Sequence, residues 1–329
     1  MSTLMRAIVV DAPGPPEVLQ QRDVPIPTPT TGEVLIKVKA FGLNRSELHF
    51  RQGVAYSGSF PRIPGIEAVG VVADAPGGEF TPGTQVATMM GGTGRLTDGG
   101  YAEYVKVPLA RVIPFTSALP WATLGAVPEM LQTAAGSLDV GLGAIAGQTV
   151  LIRGGTSSVG MALAVLAKLR GLTVLSTTRN PQKADSLLRL GVDHVLIDNG
   201  AIAPLVRELV PDGVDGAVEL VGVNVLRDTL WATRTGGTVC FTGMLSDQWT
   251  IQEFYPMDWL PNGVRLTAYS GEAADLAPET LQGFLDAVAN GEAVVPVGRT
   301  YRLDQIIQAH HDLENNTVGG KGVVVLEGN

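Results

Sequence analysis

Apolar positions along the chain change rhythm twice. From residue 1 to 121 they come in short β-type runs, "MRAIVV", "EVLIKVKAFGL", "AVGVVAD", "TQVATMM" and "AEYVKV", separated by Pro, Gly and Thr clusters. Runs of that length between turn residues predict a small irregular β-barrel. "VPIPTPTTGE" predicts an extended surface connection, because proline cannot donate to a strand ladder. From residue 122 to 266 continuous apolar strands alternate with helix-forming runs. The strands are "TVLIR", "LTVLSTT", "DHVLID", "GVDGAVELV", "GTVCFTGM" and a closing "VRLTAYS". This alternation predicts a doubly wound α/β domain, a parallel sheet covered on both faces. Gly171 ends one helical run; Asn180 and Pro181 start the next and Gly191 follows it, in the order that caps require. Residues 267–329 hold two more helical runs and a last strand, "KGVVVLEG". They are too few for a core of their own and are expected to return and complete the domain of residues 1–121.

Composition narrows the class of partner. A chain of 329 residues, 45% hydrophobic and 17% charged, is long and apolar enough to bury two cores. A net charge of −9 argues against nucleic acid or an anionic membrane as the main partner. Asp11 and Pro13 interrupt the start before any signal-length apolar run, and Glu129 and Asp139 break the most apolar stretch. These features predict a soluble, cytoplasmic protein. The lone Cys240 excludes an internal disulfide and any multi-cysteine zinc site.

The chemistry is concentrated in "VLIRGGTSSVG", Val150 to Gly160. A strand, a tight turn and a helix start point backbone N–H groups and the positive end of a helix dipole at one spot, a site for a pyrophosphate. In the G-x-G-x-x-G register the positions are Gly155, Ser157 and Gly160, with Thr156, Ser158 and Val159 between and beside them. A turn of this kind also occurs in sheets that bind nothing. The next strand bears on the choice. An NAD-selective site carries an acid about twenty residues on, at the end of strand two. Here that end reads "STTRN", with Thr177, Thr178 and Arg179. Two hydroxyls and a guanidinium suit a 2′-phosphate, which a carboxylate would repel. An ion pair at about 4 Å is worth about 4 kcal/mol before desolvation, so even a fraction of it selects NADP(H). Lys183 is either a second cation for that phosphate or a solvated helix charge.

Taken together, the irregular β domain, the nucleotide domain and the returning tail resemble the medium-chain dehydrogenase/reductase superfamily over essentially the whole chain. "GLNRSELHFRQG" and "FPRIPGIEAVGVV" are similar to blocks of its zinc-independent quinone oxidoreductase branch. The resemblance implies a GroES-like catalytic domain at 1–121 with 267–329, and a Rossmann domain at 122–266. It implies no catalytic zinc. Zinc-dependent relatives carry a cysteine and a Gly-His-Glu in those blocks, where this chain has Asn44 and Ile66, leaving only Glu67. His49 does not complete a ligand set, and His310-His311 reads as surface or packing. It implies further that Asn44 lies beside the nicotinamide, holding a ribose or a water, and that Asn44 and Tyr56 are catalytic, assisting turnover as donors toward the oxygen where negative charge develops. Tyr56 would donate a hydrogen bond or proton to the substrate, with aromatic packing as the competing reading. Thr133, Phe241, Gly243, Met244, Tyr269, Ser270 and Lys321 would border the cofactor. Finally, it implies a homodimer joined along "VRLTAYS".

The expected activity is NADPH-dependent hydride transfer to a quinone or α,β-unsaturated carbonyl. An enoyl-thioester reductase shares the hydride chemistry and differs in its acyl pocket. A nucleotide-binding protein with little catalysis retains the fold alone.

Overall fold

Described here are residues 3–54 and 58–326 of a computed structural model. They fall into two units, Met1–Glu129 with Glu272–Asn329, and Met130–Gly271. The second unit thus begins at Met130 and ends at Gly271, a few residues later at each end than the change of rhythm at 122 and 266.

In the first unit the alternating runs fold as strands. β1 (Leu4–Val9) and β2 (Gln20–Pro25) form an antiparallel ribbon. β3 (Glu33–Gly42), β4 (Glu67–Asp74), β5 (Gln85–Met89), β6 (Tyr104–Pro108) and β7 (Val112–Pro114) follow. β2 has no apolar signal because its Gln20, Gln21 and Arg22 leave little side chain to bury; backbone pairing with β1 makes it a strand. Ile8, Val34, Ile36, Phe41, Val86 and Tyr101 pack into the core beneath, each contributing about 1.5–3 kcal/mol when fully buried.

In the second unit six strands lie parallel. They are β8 (Thr149–Arg153), β9 (Thr173–Thr178), β10 (His194–Ile197), β11 (Val214–Glu219), β12 (Thr233–Phe241) and β13 (Arg265–Ala268), in the order β10-β9-β8-β11-β12-β13. Helices Ser158–Leu169, Ala184–Leu188, Ala203–Leu209 and Val223–Trp231 connect them. The chain steps outward from β8 through β9 to β10, then restarts at β11 and steps outward the other way. The reversal between β8 and β11 is a topological switch point, where open α/β sheets bind ligands at their carboxyl ends. β13 is an edge strand, as "VRLTAYS" predicted.

The tail returns to the first unit as helix Pro278–Ala289, β14 (Val297–Tyr301), helix Ile306–Glu314 and β15 (Lys321–Val325). Along one edge of β3, β6 pairs with the first half and β15 with the second. The antiparallel register Val323↔Gly42, Val324↔Phe41 and Val325↔Ala40, continued two residues, sets Lys321 opposite Asn44. Among the described residues no helix is long and apolar enough to cross a membrane.

One charge is sealed inside the second unit. The Arg153 side chain, at the end of β8, is 0% exposed and pairs with Asp198 at 2.9 Å and Asp228 at 2.7 Å. It also donates to Thr229 Oγ1 and the Val225 carbonyl. The guanidinium therefore ties β8 to the end of β10 and to helix Val223–Trp231. Arg153→Ala should lower the unfolding free energy by about 3–5 kcal/mol, because it strands two carboxylates. Denaturant titration with a loss below about 1 kcal/mol, the worth of an exposed pair, would contradict this.

Candidate active site

Each residue of the turn after β8 has a steric or hydrogen-bonding reason. Gly154 takes φ +92°, a left-handed conformation that favours glycine. A Cβ on Gly155 would lie 1.8 Å from Ser176 Oγ, and one on Gly160 would lie 2.5 Å from the Gly154 carbonyl oxygen. Side chains are thus excluded at the first and last fingerprint positions, where helix and strand approach most closely. Ser157, at the middle position, is the helix N-cap. Its hydroxyl donates to Gly154 O at 2.8 Å and accepts from Gly160 N at 3.1 Å. The serine is therefore a cap that closes the turn, compatible with a cradle. Thr156, Ser158 and Val159 are half-buried along its rim. Among the described residues no acceptor takes the N–H groups of Ser158 and Val159, the donors that a helix start leaves open. Their position and the dipole suit an anion.

At the end of β9 the arrangement departs from expectation. Thr177 and Thr178 are buried and their hydroxyls are engaged by the protein itself. Thr177 Oγ1 accepts from Gly154 N at 3.0 Å, and Thr178 Oγ1 bonds the backbone of Asn180 at 3.1 and 3.2 Å. They shape the turn and are not open to a 2′-phosphate. Arg179 and Lys183 are both exposed. Asn180 accepts from Gln182 N, as its capping role predicted. The acid at the end of the neighbouring strand, Asp198, is neutralised by Arg153.

The remaining carboxyl ends hold Phe241, Gly243 and Met244 after β12, all half-buried. Gly243 N donates to Glu219 O at 3.0 Å, and a Cβ there would lie 2.6 Å from Leu220 O. After β13, Ser270 is exposed while Tyr269 is buried with its hydroxyl on Gln132 Nε2. Thr133 is half-buried, its hydroxyl 3.4 Å from Gln132 Oε1. Three groups important here were not singled out from the sequence: Gln132, Arg153 and Glu219. The signal for the last two was a charge inside an apolar strand, in "TVLIR" and "GAVELV".

The first unit gathers a second cluster. Asn44 lies two residues past β3 and caps helix Arg45–Arg51; its backbone N donates to Glu47 Oε2 at 3.0 Å. Its Nδ2 donates to Glu67 Oε1 at 2.9 Å, and Lys321 Nζ donates to its Oδ1. Lys321 also lies 2.9 Å from Glu67 and 3.2 Å from Glu129, with its side chain 0% exposed. Burial alone would lower the Lys321 pKa, but Glu67 and Glu129 outweigh it and hold the ammonium above its ordinary value. Burial pushes Glu47 up to about 7, against the Ile66 N–H that it accepts. Two expectations change. Lys321 was expected to reach the cofactor, yet its ammonium is enclosed by three acceptors of its own unit. Asn44 was expected to act as a donor toward a developing oxyanion, yet its N–H groups face carboxylates, which leaves its oxygen for a ribose or a water. Tyr56 lies outside the described residues.

Comparison with known proteins gives two family matches. The family model described as alcohol dehydrogenase GroES-like domain matches residues 30–117, and that described as zinc-binding dehydrogenase matches residues 158–290. The quinone oxidoreductase of Rattus norvegicus is 30% identical, covering 98% of each chain. Among solved structures, a mycobacterial protein complexed with NADPH is 28% identical with a TM-score of 0.83, covering 98% of this chain and 99% of that one. An NAD-dependent alcohol dehydrogenase, also 28% identical, gives 0.85 over 98% of this chain and 100% of that one.

Glu219 provides a pH test of the switch point. Its carboxylate accepts from Val221 N at 2.6 Å, Gly222 N at 3.0 Å and the Thr229 hydroxyl at 2.5 Å. Burial raises it from 4.5 to about 7 despite these donors. Between those values the native state keeps a proton that the unfolded chain releases, so stability falls as pH rises through the window. Glu219→Gln should flatten that fall, by at most about 1.4 kcal/mol per pH unit. Glu47 acts with the same sign, so part of the slope should remain. Denaturant titrations between pH 5 and 7 that give equal slopes for both proteins would contradict the assignment.

Proposed function

Because this chain belongs to the quinone oxidoreductase branch of the medium-chain dehydrogenase/reductase superfamily, we propose that it transfers hydride from NADPH to a quinone or an α,β-unsaturated carbonyl. The observation that carries this reading is the open helix start at Ser158 and Val159, at the switch point of a parallel sheet, with exposed Arg179 and Lys183 after β9. Bound nicotinamide supplies the hydride, from its C4. The chain's residues bind and orient. The helix start receives the pyrophosphate. Gly154, Gly155 and Gly160 let the backbone come close enough to do so, with Ser157, Thr177 and Thr178 holding the turn. Arg179 pairs with the 2′-phosphate, and Lys183 adds positive charge to the same face. Phe241, Gly243, Met244 and Ser270 border the nicotinamide end, and Thr133 and Tyr269 stand behind them.

No zinc takes part in this reading. It is supported by Asn44 and Ile66 in the blocks where zinc-dependent relatives carry a cysteine and a histidine, and by the ammonium of Lys321 already lying against Glu67. Elemental analysis of active protein should give less than one zinc per chain; a stoichiometric zinc whose removal abolishes activity would reverse this.

The activity is tested by following NADPH absorbance with a panel of small quinones and enones. Consumption with none of them would leave a nucleotide-binding protein. Cofactor choice is tested separately. NADPH should bind more tightly than NADH, and Arg179→Ala should weaken NADPH roughly 10- to 100-fold, the worth of one charge-assisted contact. NADH binding should hardly change. Equal affinities in the parent protein, or equal losses in the variant, would count against a 2′-phosphate at Arg179.

Two copies are proposed to join along β13, whose unpaired edge carries Leu266 at 37% exposure. Light scattering at micromolar concentration should give twice the chain mass. Tyr269 N donates to Phe241 O, so the alternate N–H of Ala268 faces the open edge. A monomer, or a dimer unaffected by Ala268→Pro, would speak against this edge.

A further inference from the structure

We propose that Lys321 is a positioning residue whose ammonium turns the Asn44 carboxamide so that its oxygen, and not its N–H groups, serves a bound ligand. The inference rests on the proposed cofactor reading only in placing Asn44 beside the nicotinamide, as the family resemblance implies. The orientation itself follows from charge. Asn44 Oδ1 accepts from Lys321 Nζ, while Asn44 Nδ2 donates to Glu67 Oε1 at 2.9 Å and lies 3.5 Å from Glu47 Oε1. A flipped carboxamide would set its NH2 against an ammonium and its oxygen against a carboxylate, two repulsive contacts in a site with little water. The flip is therefore excluded by the neighbours.

The register explains why the contact is built in. β15 runs antiparallel to β3, so the residue that opens β15 meets Asn44, two residues past the end of β3. The cation is held from its other side by Glu67 and by Glu129, whose backbone N–H also donates to Glu67 Oε2 at 2.8 Å. Lys321 thus has no freedom to follow Asn44; Asn44 must follow Lys321. A carboxamide oxygen has two acceptor directions, and the ammonium takes one. The other suits an O–H donor, such as a sugar hydroxyl. A developing oxyanion needs donors, which this Asn44 directs at carboxylates instead.

The test joins a double-mutant cycle with chemical rescue. Lys321→Ala removes a propylammonium-sized fragment. It should lower kcat on the order of 10- to 100-fold, as loss of an orienting neighbour does. n-Propylammonium, but not tetramethylammonium, should restore it saturably. Asn44→Ala with Lys321→Ala should be no slower than the slower single variant, since the lysine acts through the asparagine. Multiplying losses, or failure of both amines to rescue, would overturn the proposal. Should Lys321→Ala not fold, Lys321→Met with Glu67→Gln removes opposite charges together. A folded double variant with parental kcat would also overturn it. Thermal stability reads the contact without any turnover. n-Propylammonium should raise the Tm of Lys321→Ala and not that of the parent, even if no quinone or enone proves to be a substrate. No rise would sink the contact itself, whereas a rise without turnover would sink only the functional reading.

Discussion

A cation sealed from water has to be ringed by acceptors, and among the described residues each unit holds at least one: Arg153 in the second, Lys321 and Arg51 in the first. Burying a single charge without partners costs far more than any one contact returns, so the surrounding segments have to converge on it. In the second unit Arg153 draws together β8, the end of β10 and helix Val223–Trp231. In the first, Lys321 draws together β15, the end of β3, the start of β4 and Glu129. Arg153 and Lys321 each stand beside a residue of the proposed site. Arg153 immediately precedes the glycine turn, and Lys321 holds Asn44.

This constraint also explains the division of labour among polar residues at the proposed cofactor site. The hydroxyls of Ser157, Thr177 and Thr178 close hydrogen bonds inside the turn, so the backbone geometry is set before any ligand arrives. The groups that remain open are the helix-start N–H groups and the exposed side chains of Arg179 and Lys183. A hydrogen-bonded turn with exposed cations at its rim suits a ligand with a pyrophosphate and a projecting phosphate.

Much of this was legible in the sequence wherever the cause is local. Strand and helix periods, the Asn180–Pro181 start, the glycines at 171 and 191, and the Gly155 and Gly160 positions depend on residues within a turn or two. The edge position of "VRLTAYS" was legible from the resemblance. What was not legible depends on distant partners. Asn44 and Lys321 are 277 residues apart, and only the pairing of β15 with β3 makes them neighbours. The Thr177 hydroxyl looked like a ligand group because the sequence could not show Gly154 N–H 23 residues earlier pointing at it. β2 lacked an apolar pattern because its strand character comes from its partner.

The central step proposed for this chain is transfer of a hydride from a nicotinamide to an electron-poor carbon. The measurement that tests it most directly uses NADPH carrying deuterium at the transferable C4 position, an α,β-unsaturated ketone and ordinary water, with the product examined by NMR. Deuterium should appear at the β-carbon and solvent hydrogen at the α-carbon, with slower turnover than for unlabelled NADPH when the transfer step limits the rate. A reduced product without deuterium at the β-carbon, in the presence of consumed NADPH, would contradict direct hydride transfer.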